Sequence, residues 1–133
     1  KKEPEDGYWS NVWNTKGFSM SSWGGRPTED MMWSAAFTDD TEWNEAAWGN
    51  IVKTDATKRF NELVRAARSE LDFEKRKAMY WECQALCNFD GGAIVYAFNQ
   101  YVGAGSKKLA HGDDVAGNWE SDGNKISERW WFA

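Results

Sequence analysis

One histidine and two cysteines among 133 residues are few, and each scarcity removes a class of chemistry. With His111 as the sole imidazole, one partner at most is on hand for the nucleophile of a serine or cysteine triad, and no Ser-His-Asp set is visible around it. Cys83 and Cys87, four apart, fall short with one histidine of the four ligands of a structural zinc site, and an i,i+4 disulfide would distort a helix. They read instead as small fillers of core or surface. No apolar run approaches the roughly 18 residues that would span a bilayer, and the opening Lys-Lys-Glu-Pro-Glu-Asp is not that of a secretion signal. Positive charge is also in deficit. Sixteen Lys and Arg against 21 Asp and Glu leave a net charge of -5, and the cations are scattered, which argues against a nucleic-acid partner.

Carboxylates are plentiful but badly arranged for catalysis. Glu29/Asp30 and Asp39/Asp40 are adjacent pairs that diverge on a helix or turn, whereas a glycosidase needs two carboxyls facing each other roughly 5 to 9.5 Å apart. Helix capping and solvation account for them. Gly103-Ala-Gly-Ser-Lys107 lacks the spacing of a phosphate loop. The expectation is a protein that is not an enzyme, with no catalytic residues, no metal and no cofactor.

What the chain has in excess is tryptophan: ten, among 21 aromatic residues. Several are flanked by Gly, Asn or Asp rather than set in apolar runs. Aromatic side chains so placed either line recesses for small organic ligands or fill a core, and composition leaves both readings open.

Along the chain, Gly7 to Trp13 alternates weakly between bulky and polar, which predicts an extended segment, and Phe18 to Trp23 reads as a second short strand after the turn Asn14-Thr-Lys-Gly17. Gly24-Gly25 breaks this run. Pro27 excludes a helical conformation at Arg26, Thr28 can cap, and Glu29 and Asp30 suit a first helical turn, so a helix is expected from Thr28 to about Phe37. Residues at such a strand-to-helix break are free to face a ligand. Thr38 to Ala56 is polar, punctuated by Trp43, Trp48 and Gly49, and carries no clear period. Phe60, Leu63, Val64 and Ala67 fall at i, i+3, i+4 and i+7, predicting an amphipathic helix over Thr57 to Glu70. Asp72 can cap the next helix, Phe73 to about Asn88. Ala93-Ile-Val-Tyr-Ala-Phe98 is a run of β-formers, expected as a buried strand, with a second strand near Tyr101 to Ala104. The end, Arg129-Trp-Trp-Phe-Ala133, is too apolar for a free tail and is expected to dock. Connections this irregular suggest a part of a larger fold.

Phe60-Asn-Glu-Leu-Val64, Ala67-Arg-Ser-Glu-Leu-Asp-Phe-Glu-Lys-Arg-Lys-Ala-Met-Tyr80, Cys83-Gln84 and Asp90-Gly-Gly-Ala-Ile-Val95, in this order and spacing, resemble the C-terminal region of family 5 extracellular solute-binding proteins, the dipeptide-, oligopeptide- and nickel-type receptors of ABC importers. The resemblance implies an α/β fold of two lobes, periplasmic binding protein type II-like, of which this chain is a C-terminal portion. Residues 1–13 would be the inter-lobe crossing segment, 14–92 the C-terminal part of the second, ligand-binding lobe, and 93–133 the return strand and C-terminal segment completing the first. It further implies a periplasmic receptor that captures a peptide-like or other small organic solute and delivers it to a membrane permease. The remaining partner would be the N-terminal remainder of the same protein.

The resemblance also nominates site residues. Peptide-binding members carry a Trp after the strand, followed three positions later by an Asp that pairs with the ligand's ammonium. Trp23 matches the Trp, next to Gly24 and Gly25, but Arg26 holds the place of the Asp. A guanidinium there prefers an anionic group of the ligand, or it forms a structural salt bridge with Glu29 or Asp30. Trp43 and Asn44 would lie near the ligand or pack their loop, and Trp9 and Trp13 would pack at the hinge. Setting the likeness aside, an aromatic-rich carbohydrate-binding module is the competing function, although such modules are mostly β.

Overall fold

Periodicity is strongest in the middle of the chain, and there the computed structural model, which describes residues 2–100, 102–117 and 119–133, carries its main scaffold. The helices, in order, are α1 (Tyr8–Asn11), α2 (Glu29–Ala36), α3 (Asp55–Ala67) and α4 (Phe73–Asp90). Thr54 caps α3 in a reciprocal box: its hydroxyl accepts from the Thr57 amide at 3.2 Å and the Thr57 hydroxyl accepts from the Thr54 amide at 3.0 Å. This satisfies amides that the first turn leaves without helical partners. Asp72 caps α4 by accepting from the Lys75 amide at 3.1 Å.

The chain divides into two units, one comprising the residues through Trp23 together with Glu29–Ile94, the other Gly24–Thr28 with Val95–Ala133. In the first, the apolar stripe of α3 meets α4 and α2 around Phe60, which is fully buried with Val64 and Cys83. Trp33 and Trp48 stand against the Phe60 ring at 5.4 and 4.8 Å between centroids, spacings at which edge and tilted aromatic pairs attract. The Trp48 indole donates to Asp90 at 2.8 Å, and the Thr54 hydroxyl donates to the same carboxylate oxygen at 2.8 Å. The end of α4 is thereby tied to the start of α3. Burial pushes the Cys83 thiol up to about 12 and the Cys87 thiol up to about 11, so both are neutral thiols near pH 7, poor nucleophiles and poor metal ligands. At the surface, Arg59 grips Glu82 with two bonds of 2.7 and 3.0 Å, and Arg68 reaches Asp30 at 2.7 Å.

The second unit is built around one carboxylate. Asp122 sits in a turn, α5 (Glu120–Asn124), in which Ser121, Asp122, Gly123 and Asn124 all have positive φ, between 55° and 66°. Three such residues carry a Cβ, and that conformation is costly without compensation. The compensation is visible: Asp122 accepts from the Ala116 amide at 2.6 Å, from Arg129 at 3.1 Å and from the Trp130 indole at 3.0 Å. Chiefly the Ala116 amide, with Trp130 and Arg129, holds its carboxyl below the usual range. After α6 (Ile126–Arg129), β2 (Trp130–Phe132) pairs antiparallel with β1 (Leu109–His111), in the register Leu109 to Phe132, Ala110 to Trp131 and His111 to Trp130.

Several expectations change. Tyr8–Asn11 is a helical turn rather than extended, opened by Gly7 at φ 73°; weak alternation over a segment as short as Gly7 to Trp13 cannot separate the two periods. Phe18 to Trp23 joins no ladder, and neither does Ala93 to Phe98, whose Ile94, Val95, Tyr96 and Phe98 are 68 to 87% exposed. A run of β-formers becomes a strand only where another strand completes its hydrogen bonds, and none does so among the described residues. Tyr101 lies outside the described residues, and Val102 to Ala104 is not a strand. The aromatic end docks as β2, although Phe132 stays exposed.

Two outcomes follow. Phe60→Ala, at a fully buried ring, should destabilise the first unit by about 3–5 kcal/mol in denaturant titration. Asp122 has a depressed folded-state pKa, so its contribution is present above the ordinary carboxylate value of about 3.9 and is lost as pH falls through the lower folded value. Followed through the Trp130 indole resonance, the second unit should loosen in that acid window, and Asp122→Asn should remove this dependence.

Candidate ligand recess

The segment after α2 is held by a buried side chain. Asn44, 1% exposed, donates from Nδ2 to the carbonyls of Phe37 and Thr38 at 3.1 and 2.9 Å, and the Asn14 side chain donates to its carbonyl at 2.6 Å. These bonds fix where the next residue points. Glu45 opens a short 3-10 turn, Glu45–Ala47, in which Ala46 and Ala47 have φ of 59° and 54°. Opposite, Gly92 passes so near that a Cβ on it would come within 2.5 Å of the Ala46 Cβ. Glycine is required there for backbone approach.

A single oxygen of Glu45, Oε2, then accepts three hydrogen bonds: from the Trp23 indole at 2.6 Å, the Trp13 indole at 3.1 Å and the Ser21 hydroxyl at 3.2 Å. Bonds to an ionised acceptor are the strong ones. They draw together segments 22 to 32 residues away in sequence from Glu45. Trp9 is carried by α1, and Trp13 follows just past the end of that helix. Their ring centroids lie 5.8 Å apart at 74°, and Trp13 and Trp23 lie 6.3 Å apart at 65°. Steeply inclined neighbours present faces and edges by turns, so they wall a space instead of stacking shut. Trp9, Trp13, Ser22, Trp23 and Trp43 together line a recess of about 280 Å³. Trp9 and Trp43 are more than half exposed, at 60% and 57%, and stand at its mouth.

Trp43 also borders a shallower recess of about 380 Å³, lined besides by Ser34, Asp40, Thr41, Glu42 and Arg68. Arg68 is engaged there by Asp30 and by Ser34, whose hydroxyl lies 2.5 Å away. Asp40 is held below the usual carboxylate range, first by the Thr38 hydroxyl and also by Arg65 and Arg68. The larger space is polar and open, and the smaller one is the built aromatic site.

Of the residues nominated from sequence, Trp23 and Trp43 meet in the aromatic recess. Asn44 is buried beneath it as an anchor rather than turned toward it, and its Oδ1 finds no partner among the described residues. Gly24, Gly25 and Arg26 belong to the second unit. There the Arg26 guanidinium folds back on its own turn, donating to the Gly24 and Gly25 carbonyls at 2.8 and 3.2 Å, and lies 5.2 Å above the Trp119 ring. Asp30, offered above as a salt-bridge partner for Arg26, pairs with Arg68. Trp9 and Trp13, read above as hinge packing, are recess walls. Glu45 was not singled out at all. The signal available was a lone acid following Trp43-Asn44 in a region crowded with indole donors.

No protein-family model matches the sequence, and no curated protein or solved structure is significantly similar to it.

Glu45→Ala leaves two half-buried indole N–H groups and a hydroxyl without their acceptor. It should destabilise the first unit by about 1–3 kcal/mol and shift tryptophan emission to the red, as Trp13 and Trp23 gain solvent; unchanged stability and emission would contradict the geometry.

Proposed function

We propose that this chain is the C-terminal part of a two-lobed, family 5-like solute receptor, and that its aromatic recess is the part of the ligand site it contributes. The observation that carries the reading is that Trp23 and Trp43, nominated separately by the resemblance, wall the same recess, with Trp9 and Trp13 completing it. A concave, mostly aromatic site with a few fixed polar groups is the usual form of a small-molecule site, and its size suits a small organic solute or one side chain of a peptide. The uncovered apolar run Ile94 to Phe98 is the segment that a first lobe, supplied by the rest of the protein, would cover. Function is then binding with closure: a ligand touching both lobes stabilises the closed form, which a membrane permease in the cell envelope recognises. The role needs no catalytic residue.

Native purification of the intact protein followed by solvent extraction and mass spectrometry tests this. A small organic solute should be recovered from the wild type and lost from Trp43→Ala. Equal recovery from both would overturn the recess as the site. Binding of polysaccharide by the chain alone, folded as a monomer, would favour a carbohydrate-binding module instead.

A further inference from the structure

Resting on the recess as the ligand site, we infer that the group it receives is a small alkylated ammonium, a cation whose charge is spread over methyl or methylene groups. Four indoles wall the space, and no lysine or arginine is among its lining residues. Indole is the strongest neutral partner for a cation over a ring face, and several such faces around one cavity are the arrangement that recognises quaternary ammonium groups. The inclinations of 74° and 65° between successive rings let more than one wall present its face to a single centre.

The charge around the recess has the matching sign. The Glu45 carboxylate lies behind the Trp13 and Trp23 walls and accepts both indole N–H groups. A hydrogen bond from an indole to an anion raises the electron density of the ring, which strengthens the attraction of its face for a cation. The second recess that Trp43 borders is lined by Asp40 and Glu42 with one lining cation, Arg68, itself paired with Asp30, while Arg65 lies 4.0 Å from Asp40. The whole chain carries -5. An anionic ligand group would meet no counter-ion among the lining residues, and a neutral apolar group would use the ring area but not the field. A bare ammonium, as on lysine, is too strongly hydrated to enter an aromatic box without hydrogen-bond acceptors on its walls. Alkylation removes those donors and keeps the charge. The volume of about 280 Å³ lies just below the range of drug-sized ligand sites, which suits a headgroup of this kind.

The experiment compares choline with its neutral isostere, in which carbon replaces the ammonium nitrogen, by titrating the tryptophan fluorescence of the full chain. Choline should bind with on the order of tenfold lower Kd than the isostere. Trp43→Phe, at an exposed site where folding is not at risk, should retain most of that preference, whereas Trp43→Leu should abolish it. Glu45→Gln, which keeps an acceptor and removes the charge, should reduce it. Equal affinities for the two probes would overturn the ammonium assignment while leaving the recess a site for small solutes. Binding of neither probe would also overturn it, and solute extraction then judges the receptor reading separately.

Discussion

Everything distinctive about the first unit depends on one carboxylate oxygen meeting three donors. Glu45 Oε2 receives Trp13, Trp23 and Ser21, and one further bond, from the Asn14 side chain to the Asn44 carbonyl, ties the Trp13 segment to the same turn. The carboxylate can serve in this way because it does not move. Asn44 is locked by the carbonyls at the end of α2, the alanines after Glu45 adopt a turn that an L-residue enters only under constraint, and Gly92 presses on that turn from the end of α4. The helical scaffold thus acts on the recess at a distance: α2 and α4, docked around Phe60, fix the turn, the turn fixes the carboxylate, and the carboxylate fixes two of the four indole walls.

The second unit uses the same device with a different purpose. Asp122 accepts an amide, a guanidinium and an indole, and these bonds hold a left-handed turn and bring Trp130 into register with His111, their rings 4.5 Å apart. In both units an acid accepts from indole N–H, two in the first and one in the second. A chain this rich in tryptophan can bury much ring area, but each buried indole needs an acceptor for its single donor. Carboxylates supply it for Trp13, Trp23, Trp48 and Trp130, whereas the buried Trp33 indole nitrogen has no partner among the described residues.

What could be read in advance divides along the same line. α3 and α4 were legible because their signals are local: apolar spacing of three and four, with Asp72 as a cap; the Thr54 cap was not read, and α3 begins at Asp55 rather than Thr57. α2 was legible from Pro27, Thr28 and the acids after them. The recess was legible only in part. Trp23 and Trp43 could be nominated one at a time, but their meeting runs through Glu45, across more than twenty residues, and no periodicity encodes such a contact. The reading of Phe18 to Trp23 and Ala93 to Phe98 as strands failed for a related reason: β-propensity describes a residue's fitness for a ladder, and the partner strand is information held elsewhere in the chain or outside it. Arg26 was assigned by its position beside Trp23, yet its guanidinium satisfies the carbonyls of its own turn.

The most direct measurement of the central claim is the set of indole proton–nitrogen resonances of the ten tryptophans. If Glu45 holds the recess together, two of them, assigned by substitution to Trp13 and Trp23, will lie downfield, exchange slowly with solvent and move together in Glu45→Gln, while those of Trp9 and Trp43 move little. If all four resonances share the position and exchange of exposed indoles and ignore the substitution, the carboxylate does not organise the site and the account is wrong.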